Sequence, residues 1–198
     1  MINVEVHPDW YYPVDGMRTL ILGTYPPHES RWSYPFYYPN RVNNFWPVMA
    51  AIQGLSLTSF EGERAVLERK KLMENVRVGV QNLGLRIERK GRGASDNDIR
   101  ITEYQSILSI INSNTSLERI LLTGYSGKTS TYKDFIKYLK QNNIKYSKPE
   151  EVKAGFEFIL ETERPIVCLI GNSTSPSARR KGVTVDILKE QFKKAIFG

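Results

Sequence analysis

The chain predicts an α/β domain whose mainly parallel sheet is covered by helices on both faces, and three observations predict it. Four short, apolar, β-prone runs stand out at residues 20–22, 76–80, 120–122 and 166–170. Three of them are unbroken apolar stretches, as strands buried on both faces are. Between and after them, apolar residues recur at helical spacing, and alternation of strand and helix favours a parallel sheet. The 198 residues carry no internal repeat or low-complexity linker and predict one domain, large enough to bury its own core.

The first run stops at Gly23 and continues through Thr24, Tyr25, Pro26 and Pro27, two prolines that turn the chain. Five aromatics follow within seven residues, namely Trp32, Tyr34, Phe36, Tyr37 and Tyr38, with Arg31 before them and Arg41 after. A loop at the carboxyl end of a buried strand is where open α/β sheets place ligands. Aromatic faces beside arginine suit a flat ligand such as a nucleobase. The competing reading is that these rings only cap the core. Phe45, Val48, Met49 and Ile52 then follow the i, i+3, i+4, i+7 pattern of an amphipathic helix, with Asn43 and Asn44 at its start.

After the second run, residues 89–98 are rich in glycine and charge and predict a loop. The third run leads into Gly124-Tyr125-Ser126-Gly127-Lys128-Thr129. A phosphate-binding P-loop needs four residues between its glycines, and here there are two, so nucleoside triphosphate binding is rejected. Gly91-Arg92-Gly93 lacks the third glycine of a dinucleotide fingerprint. Tyr132, Phe135, Ile136 and Leu139 mark a helix whose Lys133, Lys137 and Lys140 form a solvated face. The fourth run enters a loop of hydroxyls and charge: Ser173, Thr174, Ser175, Pro176, Ser177, then Arg179, Arg180 and Lys181. Hydroxyls and free backbone N–H groups hold phosphate oxygens, and cations attract them from a distance. A plain exposed turn is the alternative. Leu188, Phe192, Ala195 and Ile196 predict a C-terminal helix.

The net charge of +7 favours an anionic partner. The lone Cys168, inside an apolar run, reads as a small buried hydrophobe and excludes a Cys-ligated iron–sulfur cluster within the chain. His7 and His28 are far apart with no ligand spacing around them, so no metal or other cofactor is expected. The segment from Met1 to Glu5 lacks the features of a secretory signal, and no apolar run approaches a membrane span. A cytoplasmic protein without membrane attachment is expected, nucleoid-associated if the source is prokaryotic.

Taken together these segments resemble the uracil-DNA glycosylase superfamily, closest to its mismatch-specific and hypoxanthine-type DNA glycosylase branch. Residues 23–27 are similar to the Gly-x-x-Pro-Gly turn that closes the first strand, with Pro27 in place of the last glycine. An aromatic at Tyr25, where mismatch-specific members carry Asn, resembles the hypoxanthine-type branch. Tyr37-Tyr38-Pro39 and Asn43-Asn44-Phe45-Trp46 are similar to that branch's Tyr-Tyr, Pro and Asn-x-Phe-Trp signature. Val78-Gly79-Val80 with the segment from Ala94 to Ile99, and residues 173–178, resemble the second and third motifs. The resemblance spans roughly residues 17 to 197.

It implies a three-layer α/β/α sandwich with a central four-stranded sheet and a site at the strands' carboxyl ends. It implies a monofunctional glycosylase that flips a deaminated base, uracil or hypoxanthine, out of damaged or mismatched DNA and hydrolyses its N-glycosidic bond without a metal. The expected catalytic residues are Asn43 and Tyr25, with Asn44 serving as the helix cap. Gly23, Thr24, Pro26, Tyr37, Tyr38 and Phe45 are expected to shape the base pocket. Ser173, Thr174, Ser175, Arg179, Arg180 and Lys181 are expected to hold DNA, and the protein to act as a monomer. Two alternatives stay open: a weakly catalytic DNA-binding or damage-recognition protein on the same scaffold, and a nucleoside or nucleotide hydrolase.

Overall fold

A computed structural model describes residues 2–93 and 95–198; Met1 and Ala94, named in the segments above, lie outside the described residues. The predicted core strand is β2 (Thr19–Gly23), buried along its whole length. It pairs in parallel with β3 (Val78–Asn82) on one side and β6 (Arg119–Thr123) on the other. β6 pairs in parallel with β8 (Ile166–Gly171). These four strands fall on the four predicted runs, although the second is shifted toward the C-terminus and ends on Gln81 and Asn82.

The sheet has five strands, not four. β7 (Glu157–Leu160) adds an antiparallel edge beside β8, giving the order β3-β2-β6-β8-β7. Its four residues bury only Phe158 and Leu160, and so short an alternation gives little sequence signal.

A second, three-stranded antiparallel sheet was not expected at all: β1 (Ile2–Val6), β4 (Gly84–Lys90) and β5 (Ile99–Tyr104), in the order β1-β4-β5. Its polarity is inverted. Ile2, Val4 and Val6 face solvent, while Glu5 turns inward to Arg89, which is 1% exposed. The Arg89 guanidinium donates to both Glu5 carboxylate oxygens, to Pro26 O at 2.7 Å and to Gly93 O. A buried cation so fully paired is tolerated, and it ties this sheet to the two-proline turn after β2. Arg89 and Lys90, placed by the sequence in a loop, therefore end a strand.

The predicted helices form as α1 (Phe45–Ala51), α4 (Thr131–Gln141) and α6 (Val185–Phe197). Three more were missed: α2 (Gly62–Asn75), α3 (Ile107–Ser113) and the four-residue α5 (Pro176–Arg179). In α2 the buried stripe runs Ala65, Arg69, Leu72, Met73, and Arg69 in its middle breaks the apolar pattern. That arginine lies over the Tyr34 ring and donates to Ser59 O at 2.6 Å.

β2 and β6 are neighbours, but the chain leaves them in opposite directions, β2 toward β3 and β6 toward β8. Right-handed crossovers put the intervening helices on opposite faces of the sheet. α1, α2 and α6 form one layer, with α1 and α6 in contact. α4 forms the other, and its Tyr138 hydroxyl accepts from Leu108 N in α3. The loops after β2 and β6 therefore diverge and open a crevice at a topological switch point, where such sheets bind ligands.

Candidate active site

A cavity of about 650 Å³ fills that crevice. Its walls come from the carboxyl ends of all four parallel strands: Gly23 to Pro27 from β2, Asn82 at the end of β3, Thr123 and Tyr125 from the end of β6, and Asn172 to Ala178 with Arg180 and Lys181 after β8. Tyr38, Asn43 and the turn from Ser95 to Asn97 close it. A larger hollow of about 950 Å³ lies between β5 and α4, away from the switch point.

The aromatic run divides between core and site. Tyr34 and Phe36 are buried. Tyr37, expected in the pocket, is fully buried behind the wall, with its hydroxyl donating to Gln81 Oε1 at 3.0 Å. Phe45 is likewise fully buried and absent from the wall, so neither meets a ligand directly. Phe45 acts instead as backing: its ring stacks on Tyr38 with centroids 3.8 Å apart and planes 9° from parallel. Tyr38 adopts φ +48°, uncommon for a residue with a side chain and the kind of strain that collects at sites. Thr123 Oγ1 donates to Leu22 O, so the Tyr38 hydroxyl, 2.9 Å away, donates to Thr123. Ring and hydroxyl are both fixed.

Tyr25 lines the cavity from the other side, against the small sheet. His7 meets its ring edge-on at 5.5 Å and the Arg89 guanidinium lies 5.6 Å from its centroid. Burial, with the Glu5 carboxylate nearby, pushes its phenol well above the usual range, so Tyr25 is a neutral wall.

Asn82 is the polar residue that the sequence reading missed. It is buried beside Gly23, its partner across the ladder, and a Cβ on Gly23 would fall 2.6 Å from the Asn82 carboxamide. Only glycine fits there. His7 holds the amide: Nε2 lies 3.0 Å from Asn82 Oδ1 and Nδ1 lies 2.6 Å from Pro8 O. Burial lowers the imidazole's pKa, favouring a ring with a single proton. A ring that donates Nδ1–H to Pro8 presents a lone pair at Nε2 and draws the Asn82 NH2 toward it. The opposite tautomer sets a lone pair against the Pro8 carbonyl. The structure sets Asn82 Nδ2 beside Gly23 and Oδ1 against His7; satisfying both His7 contacts requires the amide turned end for end, with its carbonyl oxygen beside Gly23 and the cavity.

The cap expected of Asn44 is supplied instead by Asn43. Asn43 Oδ1 accepts from Phe45 N at 2.9 Å, so Asn43 supplies the side-chain cap. Asn44 makes no capping bond; it is buried, donates its N–H to Thr174 O at 3.0 Å, and accepts from the Arg179 guanidinium. Asn43 still lines the cavity, and its NH2 has no protein partner among the described residues.

In the loop after β8, Ser173, Ser175 and Ser177 form a chain of hydroxyl contacts at 3.1 and 2.7 Å. Thr174 is buried, and with Ser173 and Ser175 it lines the cavity. Arg180 and Lys181 reach the rim, whereas Arg179, bound to Asn44, does not. Pro26 and Thr24 line the floor, where the Thr24 hydroxyl bridges Asp96 Oδ2 at 3.3 Å and Thr131 Oγ1 at 3.0 Å. The rejected P-loop is part of the wall too. Lys128 N and Thr129 N donate to Asn97 Oδ1, which pins the Asp96 turn to that loop.

No helix among the described residues is long and apolar enough to cross a membrane. Among the same residues, no cluster of three or more His, Cys, Asp or Glu side chains is placed to hold a metal ion. No protein-family model matches the chain. No curated protein matches it either. Among solved structures, it is similar to the solution NMR structure of a protein from Methanosarcina acetivorans provisionally assigned as a uracil DNA glycosylase. The identity is 18%, the TM-score 0.59, and the match covers 96% of this chain and 94% of that one. The chain thus has a mixed α/β fold with two sheets, similar to that uracil-DNA-glycosylase-like structure over nearly its whole length.

Proposed function

We propose that the protein is a monofunctional DNA glycosylase that removes deaminated bases, uracil or hypoxanthine, by hydrolysing the N-glycosidic bond of a flipped nucleotide. One observation carries the reading: a buried carboxamide, Asn82, is held by His7 at the wall of a switch-point cavity beside the braced Tyr38 ring, and the amide orientation that satisfies His7 presents its carbonyl oxygen there. Uracil and hypoxanthine both carry a ring N–H beside a carbonyl. Cytosine and adenine, from which they arise, carry a lone pair at that ring position. A fixed acceptor therefore bonds the deaminated base and repels its parent, and rejection by an unpaired polar group discriminates strongly.

The rest of the wall supports the same chemistry. Tyr38, with Tyr25 opposite, gives the flipped base an aromatic surface. The NH2 of Asn43 donates to a base carbonyl, where negative charge grows as the glycosidic bond breaks. Gly23, Thr24 and Pro26 shape the floor, and the hydroxyls of Ser173 and Ser175 with Arg180 and Lys181 hold the DNA backbone. The likeness to a protein provisionally assigned as a uracil DNA glycosylase agrees with this assignment.

The test is incubation with duplex and single-stranded oligonucleotides carrying one uracil, hypoxanthine or xanthine, followed by alkali and gel analysis. Strand scission at a deaminated base and none at cytosine or adenine is expected. Tight binding with no base release would instead identify a damage-recognition protein. Release from free nucleosides but not from DNA would identify a nucleoside hydrolase.

A further inference from the structure

The geometry points to Asp96 as the group that holds the attacking water and takes its proton, a role that rests on the glycosylase reading above. Asp96 lies in the short turn (Asp96–Asp98) before β5 and reaches the same cavity as Asn43, Tyr38 and Asn82. Its side chain has one hydrogen-bond partner among the described residues, the Thr24 hydroxyl at 3.3 Å, and no ion pair. The two charges that act on it most directly have partners of their own. Arg89 on β4 is paired with Glu5 and bonded to Pro26 O. Asp134 on α4 is paired with Lys137 at 2.7 Å. Tyr38 donates its hydroxyl to Thr123. The carboxylate is thus left with lone pairs and a cavity in front of them.

The hydroxyls behind it hold one arrangement in each protonation state. Thr131 Oγ1 donates to Thr123 O at 3.2 Å and sits 3.0 Å from Thr24 Oγ1. With Asp96 protonated, donors run Asp96 to Thr24 to Thr131 to Thr123, and each hydroxyl is satisfied. With Asp96 ionised, the single Thr24 proton turns to the carboxylate, whose remaining lone pairs require a donor from the cavity. A water molecule supplies it. Burial, reinforced by Asp134 and opposed by Thr24 and Arg89, raises the Asp96 carboxyl pKa to about 6. A base poised just below neutral pH is well matched to accepting a proton at pH 7–8.

The step balances as follows. The water oxygen bonds to C1′ of the deoxyribose as the C1′–N bond breaks, and its electron pair leaves with the base. One water proton passes to the Asp96 carboxylate and the departing base anion takes up a proton from solvent. The products are the free base and an abasic sugar with a C1′ hydroxyl.

The test is single-turnover base release by the intact protein on the oligonucleotide it cleaves, measured from pH 5 to 9 with binding measured in parallel. Asp96→Asn should slow release on the order of 10²–10⁴-fold, the usual worth of a general base, while its Kd stays within about threefold. In the unaltered protein the rate should fall about tenfold per pH unit below about pH 6, as the raised carboxyl is protonated. The residual activity of Asp96→Asn should lack that limb. Thr24→Val removes a donor to the carboxylate and should move the limb to higher pH.

A second readout separates this from a structural role. Because the folded-state carboxyl pKa is raised, its ionisation costs stability as pH rises through about 6. Asp96→Asn should therefore melt a few degrees higher than the unaltered protein at pH 7.5, and the difference should vanish near pH 3. Release within fivefold of the unaltered rate with the acid limb intact, or a variant less stable at pH 7.5, overturns the role of Asp96 while leaving the glycosylase reading in place. An unaltered protein that releases no base from any oligonucleotide overturns both.

Discussion

The two flanks of the cavity are built on different principles. On the side of β2 and β3 the polar groups are buried and locked from behind: Asn82 by His7, Tyr38 by Phe45 and Thr123, and Thr24 by Thr131. On the side of β8 the serine hydroxyls contact one another, and Arg180 and Lys181 stand exposed at the rim. The first arrangement positions atoms within tenths of an ångström, which reading a base and stabilising a leaving group require. The second tolerates any backbone that brings phosphates near. One flank accordingly sets selectivity and rate, and the other sets affinity.

Asn82→Ala should have the largest effect, because it removes the fixed acceptor from the buried flank. Single-turnover release should fall on the order of 10²–10³-fold, with DNA affinity nearly unchanged by gel shift. Asn43→Ala comes next, with release down about 10–100-fold, the lower end of what one oxyanion-type donor supplies. Loss of its bond to Phe45 N should also lower stability by about 1 kcal/mol in a denaturant melt.

Tyr38→Ala should weaken binding to lesion-containing DNA tenfold to a hundredfold, since stacking on one aromatic is worth about 1–3 kcal/mol per base. Tyr25→Ala should cost less than Tyr38→Ala, because the Tyr25 ring already has His7 and Arg89 against it. Equal losses would mean that both rings stack on the base.

Much of the exposed flank was legible in the sequence, and much of the buried one was not. The hydroxyl-basic loop follows an unbroken apolar run, so its composition and position could be read together. The bond of Arg179 to Asn44 was not legible, because nothing local marks a reach to a residue 135 positions away. Asn82 was overlooked because it sits two residues past the last apolar residue of its strand, where a polar residue reads as the start of a loop. Asp96 lies in a charged, glycine-rich stretch whose composition signals only solvent exposure. What brings it to the cavity is the turn into β5 of the small sheet, and that sheet was illegible because Arg89 and Glu5 point inward while Ile2, Val4 and Val6 point out. Periodicity finds elements whose buried face is apolar; it fails where a paired charge fills the interior.

The smallest expected effect belongs to the rim. Replacing Arg180 and Lys181 with Ala should reduce the slope of log affinity against log salt by up to about 2 units. Adding Arg179→Ala should change that slope little, because its guanidinium is held by Asn44. A further full unit would show that Arg179 releases Asn44 to meet phosphate.

The division between flanks is tested most directly by single-turnover release and DNA affinity measured side by side on Asn82→Ala and on Arg180→Ala/Lys181→Ala, at about 150 mM salt. The account predicts that Asn82→Ala binds as the unaltered protein does and releases base at least about 100-fold more slowly. The double variant should bind several-fold more weakly and release base at the full rate once saturated. Loss of the same parameter in both variants, or full-rate release by Asn82→Ala, would contradict the assignment of chemistry to the buried flank.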